Sequence, residues 1–445
     1  MDGPPKLSRV LSLWDLVFYG IILITPIAPV GIFGVACQLS HGHAVTSILA
    51  AMIAMIFTAF SYGRMAALYP SGGSAYVYVG RELNPRLGFL AGWAMFLDYL
   101  MIPILNTIYV ALTVGRLVPG IPYVVWVLMT ASSITVLNLC GIRYTARTNQ
   151  VLLAGMCVVI GLFFVQSTRF LFRLAGWSAL FSAQPFYSPN TFDIHSLGTA
   201  TSLAALTYVG FDGVTTLTEE TKDPKRTVPL ATMLVCLITG LLSALQVYLA
   251  QRSWPDYRTF SDLETAFLDV SGRVGGHTLF QGMAIVLIVA CFGSGLTGQV
   301  SAARLLFSMG RDGVLPRKIF GHLDAKRSSP TYNLVLLGIV AFVGAMLLSY
   351  ERAVALVNFG AFLSFMGVNI AAVKRCSGLP RSVGRFLTEV APPACGFLFC
   401  GWIWLSLPRQ AQFAGFGWLA VGLIYSMLRP KIFNTQSELV GFTEA

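Results

Sequence analysis

The sequence predicts an all-α membrane protein of twelve transmembrane helices, ten of them in a 5+5 inverted repeat whose first and sixth helices are broken. Three observations carry that prediction: 56% hydrophobic against 11% charged residues, a series of apolar runs long enough to cross a bilayer, and matched interruptions in two of the runs. A soluble chain spends about a quarter of its residues on charge. A cytosolic enzyme, a disordered tail and a secreted disulfide domain are therefore poor fits. Each crossing takes about 20 residues, so twelve use roughly 240 and leave little for any other domain. The whole of 1–445 reads as one transmembrane domain.

Taken in order, the runs fall near 15–36, 44–62, 86–117, 122–140, 149–170, 196–220, 229–250, 278–309, 332–349, 352–373, 387–407 and 412–428. The first ends on small residues, as a secretory leader does, but Pro26 and Pro29 interrupt its middle and further runs follow, so it is read as a mature helix. With the N-terminus in the cytoplasm, the inner segments hold 22 of the 30 Lys and Arg residues. The outer ones keep Arg116, Arg169, Arg173, Arg252, Arg258, Arg273, Arg352 and Arg409. That bias places both termini inside. It also makes the net charge of +11 a topology signal: no basic stripe interleaved with aromatics marks a nucleic-acid surface. Eight cysteines without a C-x-x-C pair give neither a disulfide framework nor a zinc site.

The repeat is read as 15–170 and 196–373, followed by two additional helices in 387–428. Two connections are long. One runs over 62–85 and contains Tyr69-Pro70-Ser71-Gly72-Gly73-Ser74; the other runs over 251–277 and contains an amphipathic stretch at 260–270. Each joins the second and third helices of its unit, one inside and one outside, as an inverted repeat of five helices requires. The first run is interrupted at Ile24-Thr25-Pro26-Ile27-Ala28-Pro29-Val30-Gly31 and the sixth at Tyr208-Val209-Gly210-Phe211-Asp212-Gly213. Chance loop lengths and ordinary proline kinks are the plain alternatives. Matched breaks in corresponding helices instead point to a binding site at mid-membrane, where unwound backbone lines a cavity.

Acids deep in the membrane are expensive and functional by default. Asp98 lies near the middle of the third run, with Asn106 on the same face, and Asp212 lies in the second break. No Lys or Arg lies at their depth, so they must be protonated, hydrogen-bonded or completed by a cationic ligand or transported ion. The structural alternatives are an interhelical hydrogen bond for Asp98 and, for Asp212, an N-cap on a half-helix starting at Val214. In the first break Pro26 and Pro29 have no N–H, leaving Ile27, Ala28, Val30 and Gly31 as donors; this weakens a carboxylate site and favours an amine. Gly293-Ser294-Gly295-Leu296-Thr297-Gly298 in the eighth run puts hydroxyls at i and i+3, as ion ligands beside the first break or as small residues for tight packing. His41 and His43 read as a solvated turn. No catalytic constellation, phosphate loop or metal motif occurs, so neither enzyme activity nor a cofactor or metal is expected.

At these residues the sequence resembles the amino acid–polyamine–organocation permeases, which share the leucine-transporter fold. The resemblance rests on Gly210-Phe211-Asp212-Gly213, Glu219-Glu220-Thr221-Lys222-Asp223-Pro224, Ala303-Arg304-Leu305 and Met309-Gly310-Arg311-Asp312-Gly313-Val314-Leu315-Pro316. Ser61-Tyr62-Gly63-Arg64, the Tyr69 to Tyr76 segment, Leu97-Asp98-Tyr99-Leu100 and Asn358-Phe359-Gly360-Ala361 are most similar to bacterial putrescine importers. The resemblance implies proton-driven uptake by alternating access, with substrate between the two breaks. The chain departs from it twice. Its first break lacks the glycine-rich pattern of amino acid carriers, and 151–165 lacks the lysine of some proton-coupled relatives.

The reading is a secondary transporter of the cell membrane importing a putrescine-like polyamine or an amino acid, with H⁺ as the expected coupling ion. Substrate would be held by Thr25, Pro26, Ile27, Ala28, Gly31, Asp98, Tyr208, Gly210, Phe211, Asp212 and Gly213, with Tyr208 and Phe211 as aromatic walls. Asp98, Asp212, Ser294 and Thr297 are the ion-coupling candidates, and Arg64, Glu219 and Glu220 the inner-gate candidates. An exchanger of the same fold, a channel and a transporter-like sensor are the alternatives; the tail from Lys431 to Ala445 is too short for a signalling domain. Oligomeric state stays open.

Overall fold

Hydrocarbon offers no hydrogen bonds, so a spanning segment must close its own backbone, and helices do so. The computed structural model describes residues 10–69, 74–140, 146–311, 315–324, 330–376 and 383–428. Pro70 to Gly73, Asp312 to Val314, the tail from Lys431 and the Glu219 side chain lie outside that description. The helices are α1 (Leu13–Ile24), α2 (Ala28–Leu39), α3 (Ala44–Leu68), α4 (Ser74–Glu82), α5 (Pro85–Leu117), α6 (Tyr123–Leu139), α7 (Ala146–Ala175), α8 (Trp177–Leu180), α9 (Ile194–Ala204), α10 (Pro224–Ser253), α11 (Ala266–Arg311), α12 (Arg317–Phe320), α13 (Thr331–Leu347), α14 (Tyr350–Cys376), α15 (Val383–Arg385), α16 (Ala391–Leu405) and α17 (Arg409–Leu428). Among the described residues eight helical stretches are long and apolar enough to cross a membrane. The α1/α2 pair, bent by 54°, meets the same test of length and composition when taken together. The apolar helices α6 and α13 have 17 residues each.

Both interruptions have local causes. At Thr25 the chain turns through φ 61°, a left-handed value costly for a β-branched residue, and α2 restarts at Ala28 with Pro29 in its first turn. The sixth run divides into α9 and two 3-10 segments, Ala205–Tyr208 and Phe211–Glu220, separated by Gly210 at φ 112°. Only glycine takes that conformation without strain. The helix therefore restarts at Phe211, capped by Gly210, and not at Val214 as anticipated; Asp212 lies in its first turn instead of capping it.

The helices pack in two groups. α1, α2, α3, α9 and α10 contact one another, and so do α5, α6, α11 and α13, while α14 touches members of both. The two long connections each contain a helix. α4 fills the first, and the second holds the arm Ala266 to Gly275, which runs on into the rest of α11 across the non-helical Gly276 (φ 67°). Ahead of α1 a short clasp forms: the N–H groups of Val10 and Leu11 donate to the Glu220 carbonyl at 2.9 and 3.0 Å, and Lys222 N–H donates to the Leu11 carbonyl at 2.9 Å. The clasp ties the start of α1 to the end of the second 3-10 segment. Leu11→Pro removes one donor, worth about 0.5–1.5 kcal/mol, and is expected to speed tryptic cleavage after Arg9 about 2- to 10-fold.

Candidate transport site

The two breaks touch. A side chain grown on Gly210 would face the Leu23 carbonyl and the Ile24 amide at 3.4 and 3.7 Å, and one on Gly213 would meet Leu23. The carbonyls of the first break are all engaged. Ile24 accepts from Thr25 Oγ1 at 2.5 Å, Thr25 from Ala28 N–H at 3.0 Å, Ile27 from Val30 N–H at 3.1 Å, and Pro26 from Gln246 Nε2 of α10 at 2.9 Å. Of the donors anticipated there, Ala28 and Val30 are thus spent, while Ile27 N–H has no acceptor among the described residues.

Asp98 sits in α5, 3% exposed, and its Oδ1 has no hydrogen-bond partner among the described residues. Asp212, equally inaccessible at 8%, is within electrostatic reach of it and also of Tyr78 and Tyr99. The amides of Gly210, Asp212 and Gly213 lie within hydrogen-bonding reach of the Asp212 carboxyl, as amides at a helix start can. Neither acid forms an ion pair among the described residues. An orphaned buried acceptor costs about 1–3 kcal/mol, so these acids must be protonated or be completed by a partner that brings donors or positive charge. α14 fixes the wall behind Asp98: Gly360 lies against the Ala94 carbonyl, and Ser364 Oγ donates to the Ala91 carbonyl at 2.9 Å. Pro103, inside α5, lacks the N–H that would bond the Tyr99 carbonyl one turn back.

Aromatic rings close the site on two sides. Phe211 is fully buried, edge-on to Tyr62 at 5.4 Å and tilted on Phe365 at 5.2 Å; Tyr62 also meets Tyr78 of α4 at 6.0 Å. Phe211 is therefore part of a plug toward α4. On the arm side Gly31 lies against the Tyr109 and Tyr350 rings, themselves 4.9 Å apart, and Gly34 lies under the Leu263 carbonyl. Arg116 at the end of α5 pairs with Asp269 of the arm, which also accepts from Ser261 Oγ at 2.9 Å. Beside Leu263, burial and then the Asp262 charge hold the Glu264 carboxyl above the usual range. Its protonated form suits the fold, so stability falls as pH rises through the folded-state pKa. Glu264→Gln, which mimics that form, is expected to melt higher than the parent at neutral pH, with the gap closing below about pH 4.5.

Other candidates stand elsewhere. The Tyr208 hydroxyl donates to the Ile48 carbonyl at 2.9 Å, which ties its ring to α3 and not to the breaks. Ser294 accepts from Asn106 Nδ2 at 3.1 Å. Thr297 is exposed and bonded back to Gly293 and Ser294. Gly295 and Gly298 pack on Ile134 and Ile102, so the small residues of α11 serve close packing on α6 and α5. Arg64 on α3 pairs with Glu389, ahead of α16, at 3.6 Å; Glu220 enters the clasp through its carbonyl. Sequence reasoning missed Gln246, whose signal was a lone carboxamide in an apolar run.

An amino acid permease family model matches residues 19–407, most of the chain and all of this site. The chain belongs to the amino acid permease family. The permease is 32% identical over 432 residues to the low-affinity putrescine importer PlaP of Escherichia coli K12, covering 96% of this chain and 95% of that one. It is 24% identical to the branched-chain amino acid permease BcaP of Bacillus subtilis and 26% to the methylthioribose transporter of the same organism, each alignment covering 96% of this chain and 94% of the relative. The permease is a multi-pass membrane transporter of amino acids or amines and not an enzyme.

Proposed function

We propose that this permease imports a small amine, putrescine-like before amino acid, together with H⁺, by alternating access. The observation that carries the reading is the pair of buried acids beside the touching breaks, with an orphaned Asp98 Oδ1 and no cation partner among the described residues. A protonated amine supplies both the missing charge and the missing donors. The first break supports the same class, because Pro26 and Pro29 have no N–H and those of Ala28 and Val30 are spent within the break, which leaves few donors to greet a carboxylate. The similarity to a putrescine importer over nearly the whole chain agrees with it. Protons are the favoured coupling ion, carried by Asp98 or Asp212.

The twelve-helix 5+5 arrangement, with repeats at 15–170 and 196–373 and further helices in 387–428, belongs to the proposal, as do two cytoplasmic termini. Two features support the repeat: α10 lies along α3 and α11 along α5, which are its equivalent helices, and both long connections hold a helix. The two packing groups supply a bundle and a scaffold for rocking. An amino acid substrate is the second reading, favoured by the free Ile27 N–H. Uptake of labelled putrescine into proteoliposomes under an inward pH gradient, in competition with spermidine, agmatine and leucine, separates the two. Competition by the amines alone supports the proposal; competition by leucine alone refutes it.

A further inference from the structure

Among the described residues, Gln246 is the one by which another helix completes the backbone of the first break. It is fully buried in α10, at 0% exposure. Its Nε2 donates to the Pro26 carbonyl at 2.9 Å and, at 3.4 Å, to the Leu242 carbonyl. The other three carbonyls from Ile24 to Ile27 are closed within the break itself. Pro26 could not be served that way, since Pro29 and the bend remove the local donors. The second polar atom of the same carboxamide, Oε1, is buried with no partner among the described residues. It shares one planar group with the Nε2 that touches Pro26, so it lies beside the break. A carboxamide oxygen accepts up to two hydrogen bonds and donates none.

We propose that Gln246 is a positioning and specificity-determining residue of the transport site: Nε2 holds the bend through Pro26, and Oε1 accepts an N–H from the ammonium group of the substrate. The inference rests on the amine reading only for the identity of that group, which amino acids also carry. An ammonium brings three donors. Each of the break's carbonyls already holds one donor, so side-chain acceptors complete the set, and Oε1 joins the carboxylates of Asp98 and Asp212 as an acceptor among these helices.

The test uses the full chain in proteoliposomes, with KM and maximal rate per mole of folded transporter measured for the parent, Gln246→Met and Gln246→Glu. Gln246→Met fills the space without either polar atom and is expected to raise the putrescine KM tenfold or more while the maximal rate stays within twofold. Gln246→Glu keeps an acceptor and is expected to stay within threefold of the parental KM, with a lower melting temperature because Pro26 has lost its donor. An unchanged KM in Gln246→Met overturns the inference, as does an equal rise in both variants. A purely structural role would lower the amount of folded protein at constant KM, which also overturns it. Should Gln246→Met not fold, Gln246→Asn, one methylene short, must raise KM at least fivefold or the inference falls. If the parent accumulates leucine and not putrescine, the amine reading fails on the parent alone, and the same KM comparison with leucine still decides the role of Gln246.

Discussion

Asp98→Asn and Asp212→Asn are each expected to lower putrescine uptake about 10- to 100-fold, the range that corresponds to losing one hydrogen bond to a charged group, about 1.5–3 kcal/mol. The substitution keeps size, replaces one carboxylate oxygen by an NH2 group and removes the charge, and folding should survive, since neither acid has an ion pair to break among the described residues. Initial uptake rates per mole of folded protein check this. The pH dependence should change as well, because a variant without the titrating group cannot deliver its proton. Two variants with parental rates would remove both acids from the mechanism.

Gly360→Leu is expected to abolish uptake through packing alone. A Cβ at that position falls on the Ala94 carbonyl of α5, and the amide of Asp98 lies just beyond. Neither is a flexible side-chain end, so α14 must retreat from α5. Overpacking of this kind costs typically about 1–3 kcal/mol, and here the displaced segment carries the acid that faces the breaks. Gly155→Leu in α7 is the control, since a Cβ there meets nothing within 4 Å. Melting temperature and uptake should both fall in the first variant and stay parental in the second.

What the amino-acid sequence made legible follows from how each signal is encoded. The two interruptions were readable because Pro26, Pro29, Gly210 and Gly213 alter the backbone locally, whatever packs around them. Asp98 and Asp212 were readable because a carboxylate in an apolar run is rare. Details that depend on which face of a helix meets which neighbour were not. Thr297 shares a helix with the packing residues Gly295 and Gly298 but faces outward, and the rotation of α11 is set by Ile102, Pro103 and Ile134 of other helices. Tyr208 sits one residue before the turn of the second break, yet its hydroxyl finds the Ile48 carbonyl. Arg64 found Glu389, a partner distant in sequence that no local pattern marks. Gln246 escaped notice because a neutral carboxamide carries no charge to mark it, although its Pro26 contact is the long-range bond that closes the first break.

The central claim is that an ammonium group is held by the two acids between the breaks, and equilibrium binding tests it without the complications of turnover. Labelled putrescine would be bound to the purified parent and to the Asp98→Asn, Asp212→Asn double variant, each verified as folded by its melting curve. The parent is expected to bind saturably, with displacement by unlabelled putrescine and not by acetate, and the double variant is expected to show no saturable binding. Parental affinity in the double variant would contradict the claim.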